Sequence, residues 1–395
     1  MNRYLTPWFL ATALILLVVA AINVVVDPYG IFRLVDRPGL NSVKPTAASR
    51  GPMAKAYQVL RVQPKTLILG NSRAEVGLDP NHPAWPQAAR PVYNAALPGT
   101  GTATSLRYLQ HVLAASAGNP AAQPTLVLWG VDFMDFLTDP AQPTPPRNAH
   151  AGDSENRRLM QASATDRLRQ QVRDYAEATF TLSALTDSVQ TLASQRNPYA
   201  VDLTPLGFNP MRDYIKISAD EGYWAVFRQK DLMYDKTFAR LPKSIFDASG
   251  TTSSHWQDLQ DIMRLCRQHG IELRLFTYPY HAHLLDTFDK TGHSPGLALW
   301  KRTLAKTLAD EATASAQPAY ALWDFSTLNA ITAEAVPPQG DRKTSMRWYW
   351  EAGHFKSELG GVMLEQMLGQ PAQPVVASRL RRGNPSPKKI NQIPL

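Results

Sequence analysis

Short apolar runs alternate with longer amphipathic runs over most of this chain. The short runs have the length of buried strands and lie at residues 66–69, 92–97, 125–131, 272–278 and 320–325. Patterns with helical spacing fit residues 103–115, 254–269, 297–311 and 355–368. Near-continuous apolar strands that alternate with amphipathic helices are typical of a parallel sheet covered on both faces. The pattern therefore predicts an α/β fold, a doubly wound three-layer sandwich around a five-stranded parallel sheet.

The first apolar run, residues 8–26, differs from the others because it is long enough to cross a bilayer at about 1.5 Å per residue. A cleavable signal peptide is the alternative, with a weak cleavage site at Val19-Ala20-Ala21. The run continues past that site, which favours the interpretation that residues 1–27 form an uncleaved membrane anchor. Arg3 precedes the run, so the positive-inside rule directs the amino terminus to the cytoplasm. We therefore expect a single-pass membrane protein whose body lies outside the cytoplasm.

The rest of the chain divides into a linker, a domain with an insertion, and a tail. Residues 28–65 have the irregular composition of a linker, with a short helical piece near 53–62. The α/β domain covers residues 66–369 and is interrupted at about 135–253, where the alternation of strands and helices fails. Residues 370–395 are basic and Pro-rich without apolar periodicity, and are expected to be a disordered tail.

The insertion changes composition along its length. It is Pro-rich at first, then charged and helical over residues 156–193, and then rich in aromatic residues. A long excursion at the carboxyl edge of an α/β sheet is commonly where substrate is gripped, and Tyr223, Trp224 and Phe227 are candidates for that contact. Alternatively, these aromatic side chains form a small core of the insertion itself.

Composition and charge narrow the classes of function. Of the 395 residues, 44% are hydrophobic, and a single cysteine excludes an intramolecular disulfide framework or a Cys-rich zinc site. The net charge of +8 could suggest nucleic acid, but five basic residues lie in the tail, namely Arg379, Arg381, Arg382, Lys388 and Lys389. We therefore expect no nucleic-acid partner. We also expect no cofactor or metal ion, because His281 and His283 have no carboxylate or thiol partner at a familiar spacing.

The run that ends at Leu69 is followed by Gly70-Asn71-Ser72-Arg73. A serine just past a buried strand has its hydroxyl exposed at the carboxyl edge of the sheet, where a nucleophile is useful. In the alternative interpretation, Gly70 and Asn71 make a tight turn and Ser72 caps the element that follows.

A second motif near the carboxyl end supplies a base for this serine. Glu351 and His354 are three residues apart and directly precede a helical pattern, so one turn can bring both side chains to one point. Glu351 would orient the imidazole of His354, and His354 would accept the proton of Ser72.

With these two motifs in this order, the chain resembles the SGNH hydrolase superfamily. The resemblance is to its membrane-anchored branch, similar to the O-acetyltransferases of alginate and other bacterial exopolysaccharides. The family's Gly-Asp-Ser block matches Gly70-Asn71-Ser72, with Asn in place of Asp, and its terminal acid and His match Glu351 and His354, with Glu in place of Asp. The resemblance covers roughly residues 60–135 and 255–365.

The intermediate family blocks imply an oxyanion hole. Residues 93–101 look like the second block, which implies that the Gly99 amide donates to the oxyanion. The third block normally provides an Asn side chain, but Asp132 stands here, and a carboxylate donates only when it is protonated. The resemblance therefore implies a hole built from the amides of Ser72 and Gly99, with Asn94 as a further donor and with Asp132, when protonated, in the place of the family's Asn. The alternative is that the site is not a full hydrolase site.

The resemblance also implies substrates, partners and a location. Ser72 would form an acyl-enzyme and pass the acyl group to a polysaccharide hydroxyl or to water, with the donor delivered by a membrane-bound O-acyltransferase. The catalytic domain would lie in the periplasm on the inner membrane. Arg73 is expected to meet an anionic sugar, with a surface arginine as the alternative, and His281 to contact substrate, with a capping role as the alternative. Rival functions are a non-catalytic polysaccharide-binding or assembly protein and a plain esterase or lipase.

Overall fold

A computed structural model of the protein describes residues 2–141 and 153–369. It confirms an α/β fold with a five-stranded, all-parallel sheet. The strands are β1 (Thr66–Leu69), β2 (Val92–Asn94), β3 (Leu126–Val131), β4 (Glu272–Thr277) and β5 (Ala321–Asp324). Each strand begins within one residue of its predicted start. The largest difference is at β2, which ends three residues before the end of its apolar run at Leu97.

The order of the strands places a change of direction beside β1. Along the sheet the order is β2-β1-β3-β4-β5, so the chain moves from β1 to one side and then crosses back to β3 on the other. All residues of β1, β2 and β3 are buried. In parallel sheets, loops that leave neighbouring strands in opposite directions open a crevice at the carboxyl edge. The strand order therefore predicts such a crevice at the end of β1.

Fourteen α-helices are present in the described part of the chain. They are α1 (Asn2–Val26), α2 (Pro45–Ser49), α3 (Gly51–Val62), α4 (Ser72–Gly77), α5 (Thr102–Ala115), α6 (Ser154–Arg157), α7 (Ala164–Phe180), α8 (Leu182–Ser194), α9 (Arg212–Glu221), α10 (Tyr223–Phe238), α11 (Ser254–Gln268), α12 (Ala282–Lys290), α13 (Ser294–Ser315) and α14 (Ser357–Gly369). A two-stranded antiparallel hairpin, β6 (Tyr349–Glu351) and β7 (His354–Phe355), precedes α14. The helix predicted from residue 355 therefore begins two residues later, because Phe355 pairs with Tyr349 in the hairpin.

Helix α1 is the single candidate membrane span among the described residues. Its residues Tyr4–Val26 are long and apolar enough to cross a bilayer. The helix ends where Asp27 takes a positive φ of 52°, and the Asp27 carboxylate accepts hydrogen bonds from the amides of Ile31 (2.9 Å) and Arg33 (2.7 Å). The break predicted after Val26 is therefore made by a turn that Asp27 holds together.

The segment between α1 and β1, predicted as a linker with a short helical piece, contains α2 and α3 and is packed into the protein. Tyr29, Ile31, Asn41 and Lys44 are fully buried. The Lys44 ammonium donates to the carbonyls of Val26 and Asp27, both at 3.0 Å. These contacts fix the end of α1 to the folded domain.

The described part of the insertion contains α6 to α10. Helices α7 and α8 pack against α1, while α10 packs against α12 and β6. Tyr223 and Phe227 belong to the main hydrophobic core, and Phe227 meets the rings of His281 and His283 edge to face. The aromatic residues thus join the insertion to the main domain. Residues 142–152 and the predicted tail at 370–395 lie outside the described residues.

Candidate active site

Ser72 is the first residue of α4, directly beyond the carboxyl end of β1. The sharp turn depends on Gly70, whose φ is +144° and where a Cβ atom would overlap the hydroxyl of Tyr278. Asn71 is the N-cap of α4, and its Oδ1 accepts from the Arg73 amide at 3.1 Å. This geometry leaves the Ser72 side chain partly exposed at the sheet edge.

Glu351 and His354 flank the tight turn of the β6–β7 hairpin. The Glu351 side chain is fully buried, whereas the His354 side chain is 19% exposed. One carboxylate oxygen of Glu351 contacts His354 Nδ1, and the other accepts from the Gly353 amide at 2.8 Å. Burial by itself raises the pKa of Glu351, but the facing His354 and the Gly353 amide outweigh burial, so that pKa lies below its usual range.

The hairpin brings His354 to Ser72 across 282 residues of sequence. The distance from His354 Nε2 to Ser72 Oγ is 2.8 Å. Because Nδ1 donates its hydrogen to the Glu351 carboxylate, Nε2 is the nitrogen left to accept the Ser72 proton. The acid, the imidazole and the hydroxyl form one hydrogen-bonded series, which is the arrangement that activates a serine nucleophile.

Glycines allow the hairpin and α4 to approach each other closely. A Cβ atom at Gly77 of α4 would overlap the ring of Phe355 in β7. A Cβ atom at Gly353 would overlap the Tyr234 hydroxyl, which comes from α10 of the insertion. The insertion thus packs directly on the turn that carries His354.

Asp132 and Arg73 form a buried pair beneath Ser72, which corrects both of their predicted roles. The Asp132 carboxylate is fully buried and accepts from Arg73, from Asn71 Nδ2 (2.7 Å), from the Tyr280 hydroxyl (2.7 Å) and from the Met134 amide (3.0 Å). The Arg73 guanidinium is buried and also lies over the Tyr280 ring, 5.5 Å from its centroid. Asp132 is therefore an acceptor rather than an oxyanion donor, and Arg73 faces the protein interior rather than a sugar.

Asn94 is also placed differently from its predicted oxyanion role. Its side chain is fully buried, and Nδ2 donates to the carbonyls of Ala74 (2.8 Å) and Leu78 (3.0 Å). Its Oδ1 accepts from the Ala96 amide at 3.1 Å. Because its two amide hydrogens are engaged in this way, Asn94 ties β2 to α4 and has no hydrogen to offer an oxyanion.

His281 caps a helix instead of facing the site. Its Nδ1 accepts from the His283 amide at the start of α12 (3.2 Å), and its Nε2 donates to the Glu334 carbonyl at 2.9 Å. The side chain is almost fully buried, and burial lowers the pKa of His281 to about 4. The capping alternative is therefore the one that the structure supports, and the predicted substrate contact is corrected.

Gly99 lies in the exposed loop that follows β2. Its φ is +68°, and no atom lies within 4 Å of the position that a Cβ would take. The Leu97 amide donates to the Gly70 carbonyl at 3.2 Å, which keeps this loop next to the turn that carries Ser72. The role of the Gly99 amide as an oxyanion donor stays a prediction.

Three residues at the site were not predicted from the sequence. Asp135 lies against Gly101 of the same loop, and burial together with neighbouring Asp132 raises the pKa of Asp135 well above its usual range. Tyr278 bridges the first and third strands, since its hydroxyl donates to the Gly130 carbonyl (3.2 Å) and accepts from the Asn71 amide (3.3 Å). Tyr280 donates to Asp132. The signal for both tyrosines was their position just after β4, at the carboxyl edge.

Within the described ranges, no group of three or more His, Cys, Asp or Glu side chains is placed to hold a metal ion. No protein-family model matches the chain, and no curated protein matches it either. The geometry around Ser72 is therefore the main indication of what this protein does.

Proposed function

We propose that this protein is a membrane-anchored acyl transferase or esterase that uses Ser72 as its nucleophile. The observation that supports this most strongly is the hydrogen-bonded series from Glu351 through His354 to Ser72, with a separation of 2.8 Å between Nε2 and Oγ. The series lies at the carboxyl edge of a parallel sheet, beside the change of direction in strand order, where α/β proteins commonly bind substrates.

The reaction begins when Ser72 Oγ attacks the carbonyl carbon of an acyl ester and its proton passes to His354 Nε2. The resulting tetrahedral oxyanion collapses, the ester C–O bond breaks, and the leaving alkoxide takes the proton from His354. An acyl group is then covalently bound to Ser72. A sugar hydroxyl or water repeats the sequence in reverse, which restores the Ser72 hydroxyl. Buried Glu351 holds the imidazole in the required tautomer throughout.

The oxyanion needs hydrogen-bond donors, and Asp132 and Asn94 are engaged elsewhere. The backbone amides of Ser72 and Gly99 provide two donors in this proposal. Asp135 provides a third in its protonated form, because a neutral carboxylic acid can donate a hydrogen bond. Asp135 follows β3 and packs at Gly101 against the loop that also contains Gly99.

The finer assignment follows the sequence resemblance. In this proposal the domain is a three-layer SGNH-type fold on the inner membrane, with its site in the periplasm and a cell-envelope polysaccharide or exopolysaccharide as acceptor. A membrane-bound O-acyltransferase delivers the acetyl group. The apolar helix α1 supports the membrane anchor, and the motif order Gly70-Asn71-Ser72 then Glu351 and His354 supports the family.

The test uses the full chain in detergent with a chromogenic acetyl ester. We expect Ser72→Ala and His354→Ala each to lower turnover by about 10³-fold or more. Matched controls are Ser315→Ala and His269→Ala, at the ends of helices that precede β5 and β4, on the opposite edge of the sheet from Ser72. Equal turnover by the wild type and both site variants would reject the proposal, and polysaccharide binding without turnover would favour a non-catalytic function.

Transfer and hydrolysis share the first half of this reaction. Adding polysaccharide fragments to the same assay separates the two, because a transferase moves the acetyl group to the sugar and a hydrolase releases acetate. Acetate release that no sugar changes would favour a plain esterase.

A further inference from the structure

Helix α8 has the opposite arrangement of side chains from a helix on a water-exposed surface. Three of its large apolar residues, spaced by seven and three positions, point outward, with Leu182 76% exposed, Val189 59% exposed and Leu192 40% exposed. Its buried face has only small or polar residues, namely Ala184, Ser188 and Thr191. A surface helix in water buries its large apolar face, whereas helices in membranes pack through small residues and expose apolar ones to lipid.

The buried face of α8 lies against the membrane-spanning helix candidate. Asn23 of α1 is fully buried, and its side-chain oxygen accepts from the Ser188 hydroxyl at 2.9 Å. Asn23 Nδ2 donates to the Thr179 carbonyl at 3.0 Å, at the corner between α7 and α8. A buried polar residue in an otherwise apolar helix is thus satisfied entirely by this helical corner.

The position of Asn23 along α1 sets the depth of the corner. The apolar span has 23 residues, about 34 Å of helix, against a hydrocarbon core of about 30 Å. With the helix centred in the bilayer, Asn23 lies just inside the boundary of the hydrocarbon on the side of the folded domain. Phe180 (56% exposed) and Leu182, which flank the corner, lie at the same depth.

We infer that α8 and its corner with α7 are embedded in the membrane leaflet on the side of the folded domain, next to α1. Both of these packed helices expose apolar side chains, and Leu17 of α1 is 66% exposed. Helix α8 contains one ionisable residue, Asp187, and its carboxylate accepts from the Tyr29 hydroxyl at 2.8 Å. A lipid surface fits this face because lipid needs neither polar partners nor a complementary shape.

The neighbouring surface of α7 has the mixture of apolar and basic residues expected of a surface that contacts lipid headgroups. Leu168 and Val172 are exposed there at helical spacing, and the exposed Arg169 and Arg173 stand beside them. Arginine side chains next to an apolar face suit the boundary where acyl chains meet headgroups. The chain therefore holds the bilayer through one spanning helix and one helix embedded in a single leaflet, independently of the proposed chemistry at Ser72.

Site-directed spin labelling of the full chain in lipid nanodiscs tests this inference. The only native cysteine, Cys266, is buried, so the wild type reports the background labelling. Labels are placed at Leu182→Cys and Val189→Cys, with Leu17→Cys on α1 as the lipid reference and Leu232→Cys on α10 as the water reference. Leu232 is 47% exposed, comparable to the test positions.

We expect the labels at 182 and 189 to match the lipid reference, with several-fold less access to a water-soluble nickel chelate than at 232 and more access to oxygen. Nickel access equal to that at 232 would show a water-facing helix and overturn the inference. Strong immobilisation with both agents excluded would place a protein there, either a second copy or a partner, and would overturn it equally.

Discussion

Two buried carboxylates lie on either side of Ser72, and their partners give them different roles. Glu351 and Asp132 are both fully buried, and each contacts a nitrogen of a basic side chain. The partner of Glu351 is His354, which is partly exposed and reaches Ser72 with its second nitrogen. The partner of Asp132 is Arg73, which is buried against Tyr280. Glu351 can therefore influence Ser72 through His354, whereas Asp132 neutralises a buried arginine. The role of a buried carboxylate at this site depends on which group its basic partner contacts.

The largest effect is expected from substitution of Glu351, the carboxylate that contacts His354. Glu351→Gln should lower ester turnover by about 10⁴-fold, because an amide no longer holds His354 in the tautomer that accepts the Ser72 proton. Steady-state kinetics measure the loss, and thermal unfolding reports whether the fold is kept. The matched control is Glu351→Asp, which keeps the charge on a shorter side chain. Its ester turnover should lie between that of the wild type and that of Glu351→Gln. Unchanged turnover in Glu351→Gln would remove Glu351 from the mechanism.

The next largest effect is expected from substitution of Asp132, the carboxylate that pairs with buried Arg73. Asp132→Asn should lower the free energy of unfolding by about 3 kcal/mol or more, because it leaves the Arg73 guanidinium buried without its counter-charge. Chemical denaturation measures the change. The double variant Asp132→Asn with Arg73→Met removes both charges and should recover much of the loss. If the double variant is as unstable as the single one, the charge pair is not the cause.

A pH-dependent effect is expected at His281, whose pKa of about 4 lies below the ordinary value of 6.5. The folded state holds this imidazole neutral, so stability is full above pH 6.5 and falls as pH decreases towards about 4, by on the order of 3 kcal/mol in total. His281→Asn keeps a side chain that can cap α12 and does not titrate. We expect its unfolding free energy to lack this acid-side decrease, and identical pH profiles would contradict the burial of a neutral imidazole.

The smallest effect is expected at Asp135. Because the pKa of Asp135 is raised by burial and by Asp132, its contribution to stability is full below the ordinary value of 3.8 and is lost as pH rises from that value through the raised pKa of the folded state. Asp135→Asn should therefore be more stable than the wild type by an amount that grows with pH above about 4. Asp135→Asn should also keep its ester turnover, because the side-chain amide can still donate a hydrogen bond to the oxyanion. Asp135→Ala has no such donor and should lose turnover. An equal loss in both variants would exclude Asp135 as a donor.

The strands could be predicted from the sequence, and so could Ser72, Glu351 and His354, because each depends on a local pattern of residues. Apolar runs of four to seven residues predicted the strands. The order of the two motifs, together with the need of a serine nucleophile for a base, paired Ser72 with His354. The hairpin that positions His354 has strands of three and two residues, too short for a periodic signal. The hairpin was therefore not predicted, and its last residue, Phe355, was assigned to the helix predicted at 355–368.

The misassigned residues depend on contacts between distant parts of the chain. Arg73 and Asp132 are 59 residues apart, and no pattern near either one indicates the pairing. Asn94 and His281 both bind backbone groups, which sequence motifs do not encode. Helix α8 was predicted as part of a charged helical stretch, but the exposure of its apolar face is visible only once α1 is placed beside it.

The central claim is that Ser72 is acylated through His354. The most direct measurement is mass spectrometry of the full chain mixed briefly with a chromogenic acetyl ester, followed by identification of the modified peptide. We expect one added acetyl group on Ser72 in the wild type and in Ser315→Ala, and none in Ser72→Ala or His354→Ala. Acetylation at another residue, or equal acetylation of all four proteins, would contradict this claim.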